Sequence, residues 1–421
     1  MGSNFHRVRL MQPSWFVYRK LLYGALILSS VAVRGQVPIA ASGPTGTVNV
    51  FPSDLAILEA GEDRKDLPCT AVSIKPALGF DLRFHSGYEV SVPLKELAGA
   101  ENLLTVVFRI NSESRKEQPQ YFSQRIKVPS IDAEAKGDAY LQGAFDLGEG
   151  KYHIDWLMRD RSERVCASSW ETEAALANKD RQINLVIAPN SIQRADFEQF
   201  KEEPPVQRQT ETALNVKLLV NFAPQNSLSA TLQPLDTSAL VSILRTLSRE
   251  PRIGKFSIIA FNMQEQRVIY RQEGADRIDF PALGEALTKL NLGTVDLKRL
   301  SQKHGDTDFL TQLIQKECGG TASMKPDALI FAGPKVMLDS NVPEDTLKQI
   351  NDVDYPVFYM NYNLNPQAQP WRDAISRTVK HFNGREYTIT RPRDLWFAVS
   401  EMVSNIVKSR NGLRSSSISS Q

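Results

Sequence analysis

Val216-Lys217-Leu218-Leu219-Val220-Asn221-Phe222 decides how the second half of this 421-residue chain is read. It is a short, nearly unbroken apolar run rich in β-branched and aromatic residues. A run of that length reads as a strand buried on both faces. Similar runs recur at Phe256–Asn262, Ala328–Ala332 and Val357–Asn361. Between and after them lie stretches with helical periodicity: Thr237–Ser248, Pro281–Leu290, Asp306–Lys316, Glu344–Ile350, Trp371–Phe382 and Arg393–Lys408. The last is the clearest, with Leu395, Val399, Met402 and Ile406 at four-three-four spacing. Arg267–Arg271 reads as an extra strand in a hairpin with Phe256–Asn262, and Glu386–Thr390 as a weaker final strand. Strands alternating with helices predict a mainly parallel sheet covered on both faces, a three-layer α/β, Rossmann-like domain over 213–409. The Ser-rich end, 410–421, is expected to be disordered.

Upstream, the period changes to two. Phe80, Leu82 and Phe84 alternate with polar residues, as do Tyr88, Val90 and Val92, then Val106, Phe108 and Ile110, then Tyr152, Ile154, Trp156 and Met158. Such alternation places one face on a core and the other in water. Leu147-Gly148-Glu149-Gly150-Lys151 and Arg159-Asp160-Arg161-Ser162-Glu163 read as hairpin turns. The expectation is an antiparallel β-sandwich over 67–188. Residues 36–66 are expected to be a leader and linker, mobile over the small, Gly/Pro-rich and nearly uncharged stretch 36–50. The charged stretch 189–212, broken by Pro204-Pro205, is expected to be a solvated linker with a short helix at Arg194–Lys201.

The chain carries 50 Lys and Arg against 48 Asp and Glu, with ordinary globular composition. That excludes a wholly disordered chain and a multi-span membrane protein, and argues against nucleic acid as a partner. The first 35 residues hold five basic residues and no acidic one, with an apolar run at Leu21–Val33. The run is short for a membrane span, and the pattern is that of a secretory signal, with cleavage expected after Gly35 and Ala41 as second choice. A secreted or periplasmic location follows, with no stable membrane span after cleavage. Without those residues the balance is 45 basic to 48 acidic, a net −3. Export permits a disulfide. Cys69 and Cys166 fall in the β-rich region and are paired, leaving Cys318 as a buried helix-end residue.

Lys217–Phe222, Phe256–Phe261 leading into the Gln264–Arg267 turn, and Ala328–Gly333, with the early hairpin and the long final helix, give the second half a resemblance. It resembles the von Willebrand factor A-like fold, and more narrowly the VWFA-related domains of exported bacterial proteins, over 213–409. A flavodoxin-like fold is the competitor. The resemblance implies a metal-dependent adhesion site at the strand ends, built from Asp-x-Ser-x-Ser, a loop Thr and a later Asp. A hard divalent ion there would use oxygen ligands and leave an open position for a partner's carboxylate. Here Asn221, Ala223 and Gln225 occupy the first three positions, and Gly333 stands near the later Asp. Ser227 and Ser229 have the spacing but lie past the strand, and Thr294 matches the loop Thr alone. The expectation is no metal and no cofactor. The same strand ends remain a binding rim, with Asn221, Gln225, Asn226, Thr294, Gly333 and Lys335 as its candidate residues.

No other catalytic pattern stands out. His85, His153, His304 and His381 are scattered, without zinc-type spacing. Asp306 and Asp308 read as helix-entry residues, and His153 and Asp155 as the solvated face of a strand. Trp371, within Pro370-Trp371-Arg372, reads either as a contact residue or as helix-start packing. The expected function is non-catalytic binding or scaffolding in the cell envelope or outside the cell, with protein partners of unknown identity. The alternatives are a metal-dependent adhesion protein with atypical ligands and a secreted hydrolase with a loop-built site.

Overall fold

The computed structural model describes residues 37–39, 51–115, 118–196, 198–209, 213–226, 229, 231–290, 292, 304–318, 325–338, 340–350, 353–363, 366–367 and 370–418. The expected signal segment, Ser227 and Thr294 lie outside them.

The first half builds two antiparallel sheets from ten strands: β1 (Val37–Ile39), β2 (Arg64–Lys65), β3 (Thr70–Leu78), β4 (Phe84–Pro93), β5 (Asn102–Ser112), β6 (Gln120–Val128), β7 (Asp138–Leu147), β8 (Gly150–Arg159), β9 (Val165–Ala174) and β10 (Ile192–Arg194). One sheet runs β1-β6-β5-β8-β9-β2 and the other β10-β7-β4-β3. The alternating residues Tyr88, Val90, Phe108, Ile110, Ile154 and Trp156 meet between them in one core. Tyr88 and Trp156 approach with ring centroids 5.3 Å apart. The buried Tyr88 hydroxyl donates to Gln124 Oε1 at 2.9 Å, so that aromatic adds no unpaired polar atom. The predicted disulfide is present: Cys69, beside β3 in one sheet, is bonded to Cys166 of β9 in the other.

The outer face of the larger sheet departs from the simple alternation. A helix, α1 (Pro52–Ala60), lies on it and buries Leu58 against Val107, Leu157, Val165 and Ala167. The leader therefore contributes a strand and a helix to the domain. Pro at the first turn and Gly61 at φ 63° delimit α1, as their backbone preferences dictate. Phe80–Phe84 is not a continuous strand. Gly79 N donates to Arg83 O at 2.8 Å and Leu82 takes φ 61°, so the chain turns there and the Phe80 side chain leaves the sandwich.

Among its described residues, the 189–212 segment is neither helical within 194–201 nor a free linker. Ile192–Arg194 pairs with β7. Glu203 binds both Arg245 and Arg249 at 2.8 Å, and Arg208 donates to the carbonyls of Ser248 and Glu250. Glu203 and Arg208 are thus committed to the second domain, while Glu202 stays largely exposed.

That domain contains β11 (Leu214–Asn221), α2 (Pro234–Ser248), β12 (Ile253–Asn262), β13 (Arg267–Ala275), α3 (Phe280–Thr288), α4 (Gly305–Cys318), β14 (Ala328–Gly333), α5 (Glu344–Lys348), β15 (Val357–Tyr362), α6 (Ala374–His381), β16 (Arg385–Ile389) and α7 (Pro392–Ile418). The sheet order is β13-β12-β11-β14-β15-β16, parallel except for β13. Leu218 and Val220 of the opening run face α2, α3 and α7, while Leu219 faces α4, α5 and α6. Burial on both faces explains why the strand is apolar at successive positions. Cys318 ends α4 and is buried, as expected. Helix α7 continues to Ile418 where a tail was expected. Arg410 holds its extension by donating to Ala213 O at 2.6 Å, at the start of β11.

The disulfide closes a separation of 97 residues. Replacing both Cys69 and Cys166 by Ser should lower the free energy of unfolding by about 3–5 kcal/mol. Urea unfolding of the two forms measures it, and equal midpoints at equal slope would remove the disulfide from the account.

Candidate functional site

Strand order reverses at β11 and β14, which is where open α/β sheets leave a crevice at their C-terminal edge. Here the ends of β11 and β14 lie close together. Gly333 ends β14 at φ 151°, and a Cβ on it would lie 2.8 Å from Asn221 Cβ, so only glycine fits. Gln225 Nε2 donates to Tyr362 O at 3.3 Å, carrying the loop after β11 across the end of β14 to β15.

Amides line these strand ends. Asn221 is buried and its Oδ1 accepts from Met263 N at 3.3 Å. Asn262 Oδ1 accepts from Glu265 N at 2.7 Å, and Asn361 Nδ2 donates to Glu386 Oε1 at 3.0 Å. Asn221 Nδ2 and Asn361 Oδ1 are buried with no hydrogen-bond partner among the described residues. The nearby acids serve the fold. Asp373 accepts from Val336 N at 2.6 Å, Ser376 N at 2.8 Å and the Tyr359 hydroxyl at 3.1 Å, capping α6. Glu265 pairs with Arg267. Asp236 accepts from the backbone N–H of Gln233 at the start of α2 and from that of Gln225 in the loop after β11, and burial pushes its carboxyl above the usual range. Asp306 accepts from Gln266 Nε2 rather than capping α4. Among the described residues no three His, Cys, Asp or Glu side chains lie together as metal ligands.

The sandwich covers part of this rim. Phe80 meets the Tyr362 ring edge-on, centroids 6.0 Å apart, and Asp180 reaches Arg393 at the start of α7 at 3.5 Å. The Phe80 turn is fixed from behind. His85 Nδ1 and Asp146 Oδ1 are 2.7 Å apart, His85 Nε2 and Asp81 Oδ1 are 3.0 Å apart, and Arg83 also reaches Asp146. Burial opposes charge on the imidazole, yet the two carboxylates overcome it and push His85 up to about 10.

The uncovered part lies toward α6. Trp371 is 53% exposed and Met337 50% exposed, with the indole Nε1 3.2 Å from the Met337 sulfur. Lys335 Nζ donates to Trp371 O at 2.6 Å. Beside them an open groove of about 550 Å³ runs past Pro370 and Arg372 to Arg385 and Glu386. Of the residues expected at the rim, Asn221 and Gly333 form its closed floor, Gln225 bridges it, and Asn226 follows in the same loop. Lys335 alone borders the open groove. Met337 carried no sequence signal, since one Met in a loop is uninformative, whereas Pro370-Trp371-Arg372 did mark the place.

Of the pair His153 and Asp155, read as a solvated face, only His153 keeps much of its side chain in solvent. Asp155 is buried beside α1, binding Arg109 at 2.9 Å and His153 at 3.0 Å, while Arg109 donates to Leu58 O at the end of α1. The three tie the leader helix to the sheet. A shallow polar depression of about 610 Å³ lies beyond them, past Asn111, Lys151 and Glu171.

No protein-family model matches the chain, and no curated protein matches it. Solved structures are similar only distantly. A Northeast Structural Genomics Consortium target is 7% identical, over 27% of this chain and 95% of its own, with a TM-score of 0.17. A Bacteroides uniformis β-glucuronidase is 11% identical over 72% of this chain and 39% of its own, at 0.18. A glycosyl hydrolase family 2 member from Bacteroides cellulosilyticus is 6% identical over 76% and 38%, also at 0.18. The chain thus spans about two fifths of the length of these two hydrolases. Likeness at this level carries no inference about activity.

The His85 geometry makes a pH prediction. With the folded value raised to about 10 from the usual 6.5, the pairing stabilises fully below pH 6.5 and is lost as pH rises toward 10. His85→Gln should therefore melt below the parent at pH 6, and the gap should shrink steadily through pH 8 to pH 10. Melting curves at the three values measure it, and a gap that widens with pH would reverse the assignment.

Proposed function

We propose that the chain is an exported, non-catalytic binding protein whose second domain is a VWFA-related domain without the adhesion metal, and whose contact surface is the open end of the strand rim. The strand order, with one antiparallel edge strand next to β12, supports the family reading. The disulfide supports an oxidising compartment. No helix among the described residues is long and apolar enough to cross a membrane, which leaves β-barrel spans unaddressed.

One observation carries the reading: Trp371 and Met337 stand exposed together at the rim, the indole against the thioether. Tryptophan and methionine are enriched where proteins bind proteins, and a large rigid indole anchors contacts at low entropic cost. The amides at the strand ends are poor ligands for a hard divalent ion, which favours carboxylate oxygens.

Two measurements test this. A photo-cross-linking residue at Met337 should capture one defined protein from the native envelope. Trp371→Ala should weaken that protein's binding by at least about thirtyfold, the size expected for an interface anchor. Capture independent of Trp371, or turnover of ester, glycoside or peptide substrates abolished by a single substitution, would overturn the proposal. Melting curves should coincide with and without magnesium or manganese, and a clear metal-dependent rise would restore the metal-dependent adhesion reading.

A further inference from the structure

The open groove carries cations from three separate elements. Lys335 follows β14, Arg372 precedes α6 and Arg385 opens β16. Glu386 is the one carboxylate among its lining residues, and it accepts from Asn361. Lys335 is held by the Trp371 carbonyl, which fixes an ammonium group against the backbone of the exposed indole. Arg385 is engaged by Glu401. Arg372 differs: it is exposed, and no carboxylate pairs with it among the described residues. The exposed Arg377 and Lys380 extend the same sign of charge along α6.

A guanidinium beside an aromatic plate is complementary to a chain that places a carboxylate next to an apolar side chain. A purely apolar partner would desolvate Arg372 without pairing it, which is costly. A nucleic-acid backbone fits less well. It needs a run of cations, whereas Glu386 lies in this groove and the segment after Gly35 is net acidic.

We propose that this groove receives an acidic peptide segment of a partner protein, with a carboxylate on Arg372 and an apolar side chain against Trp371 and Met337. The proposal rests on the reading of the open rim as the contact surface and adds the chemistry of what it contacts.

The test uses the full chain and a fluorescein-labelled octapeptide of alternating Asp and Leu, with the Asn and Leu counterpart as control, read by fluorescence anisotropy. The Asp peptide should bind at least about tenfold more tightly than the Asn peptide, and its affinity should fall as salt rises. Arg372→Glu should weaken the Asp peptide by about tenfold or more while leaving the melting temperature unchanged, since the side chain is exposed. Arg125→Glu, on the exposed part of β6, should leave binding unchanged and so control for net charge. Equal binding of the two peptides, or parent-like binding by Arg372→Glu, would overturn the proposal. So would competition by oligothymidylate or inorganic pyrophosphate as effective as that of unlabelled Asp peptide, because the groove would then be a phosphate site. If a residue at Met337 still cross-links a partner whose affinity Arg372→Glu does not alter, the rim reading stands and the acidic-segment proposal alone falls.

Discussion

The contact between Gly333 and Asn221 fixes how closely the ends of β11 and β14 approach each other. In an open parallel sheet, the crevice between the strands at which the order reverses is the natural place for a ligand. Here β14 ends in a glycine that lets its backbone close on Asn221, and Gln225 pulls the preceding loop over the gap to Tyr362. A side chain at position 333 would force the two strand ends apart. The contact surface proposed above accordingly lies on loops that follow the strands rather than on the strands themselves.

The sandwich reinforces that shift. Its Phe80 turn, held by the His85, Asp146 and Asp81 group, places an aromatic ring against Tyr362, and Asp180 meets the first turn of α7. The segment joining the domains lies along α2 and α3, where Phe200 packs so closely that a Cβ on Gly284 would come within 2.6 Å of it. One half of the rim is thus used to join two domains. The other half, around Lys335, keeps the Trp371 indole and the Met337 thioether toward solvent, and the groove beside it runs back along β16 to Arg385 at that strand's start. The division of labour follows from which strand ends lie under the sandwich.

The architecture was largely legible because burial leaves a periodic trace. Leu218, Leu219 and Val220 are apolar in succession because both faces of β11 are covered, and Tyr152, Ile154, Trp156 and Met158 alternate because the sandwich core needs one face. The misses have a common cause. Phe80 and Leu82 fit a period of two, yet two matching positions beside Gly79 do not exclude a turn, and the ring's true neighbour lies more than 280 residues away in the chain. Asp155 read as solvated because nothing in β8 reveals that α1 will lie over it. The segment at 196–209 read as a free linker because its composition is polar, but Glu203 finds two arginines on α2. The approach of Gly333 to Asn221 was not legible: both read as part of a binding rim, and their closeness depends on a register between strands more than 100 residues apart.

The central claim is that this strand rim is sealed by amide and glycine contacts instead of being organised by an ion. Anomalous diffraction from crystals grown in manganese tests it most directly. The account predicts no anomalous peak at the ends of β11 and β14, with the Gly333 backbone in van der Waals contact with Asn221. A manganese peak within coordination distance of Asn221, Gln225 or Asp236, with the two strand ends drawn apart, would contradict it.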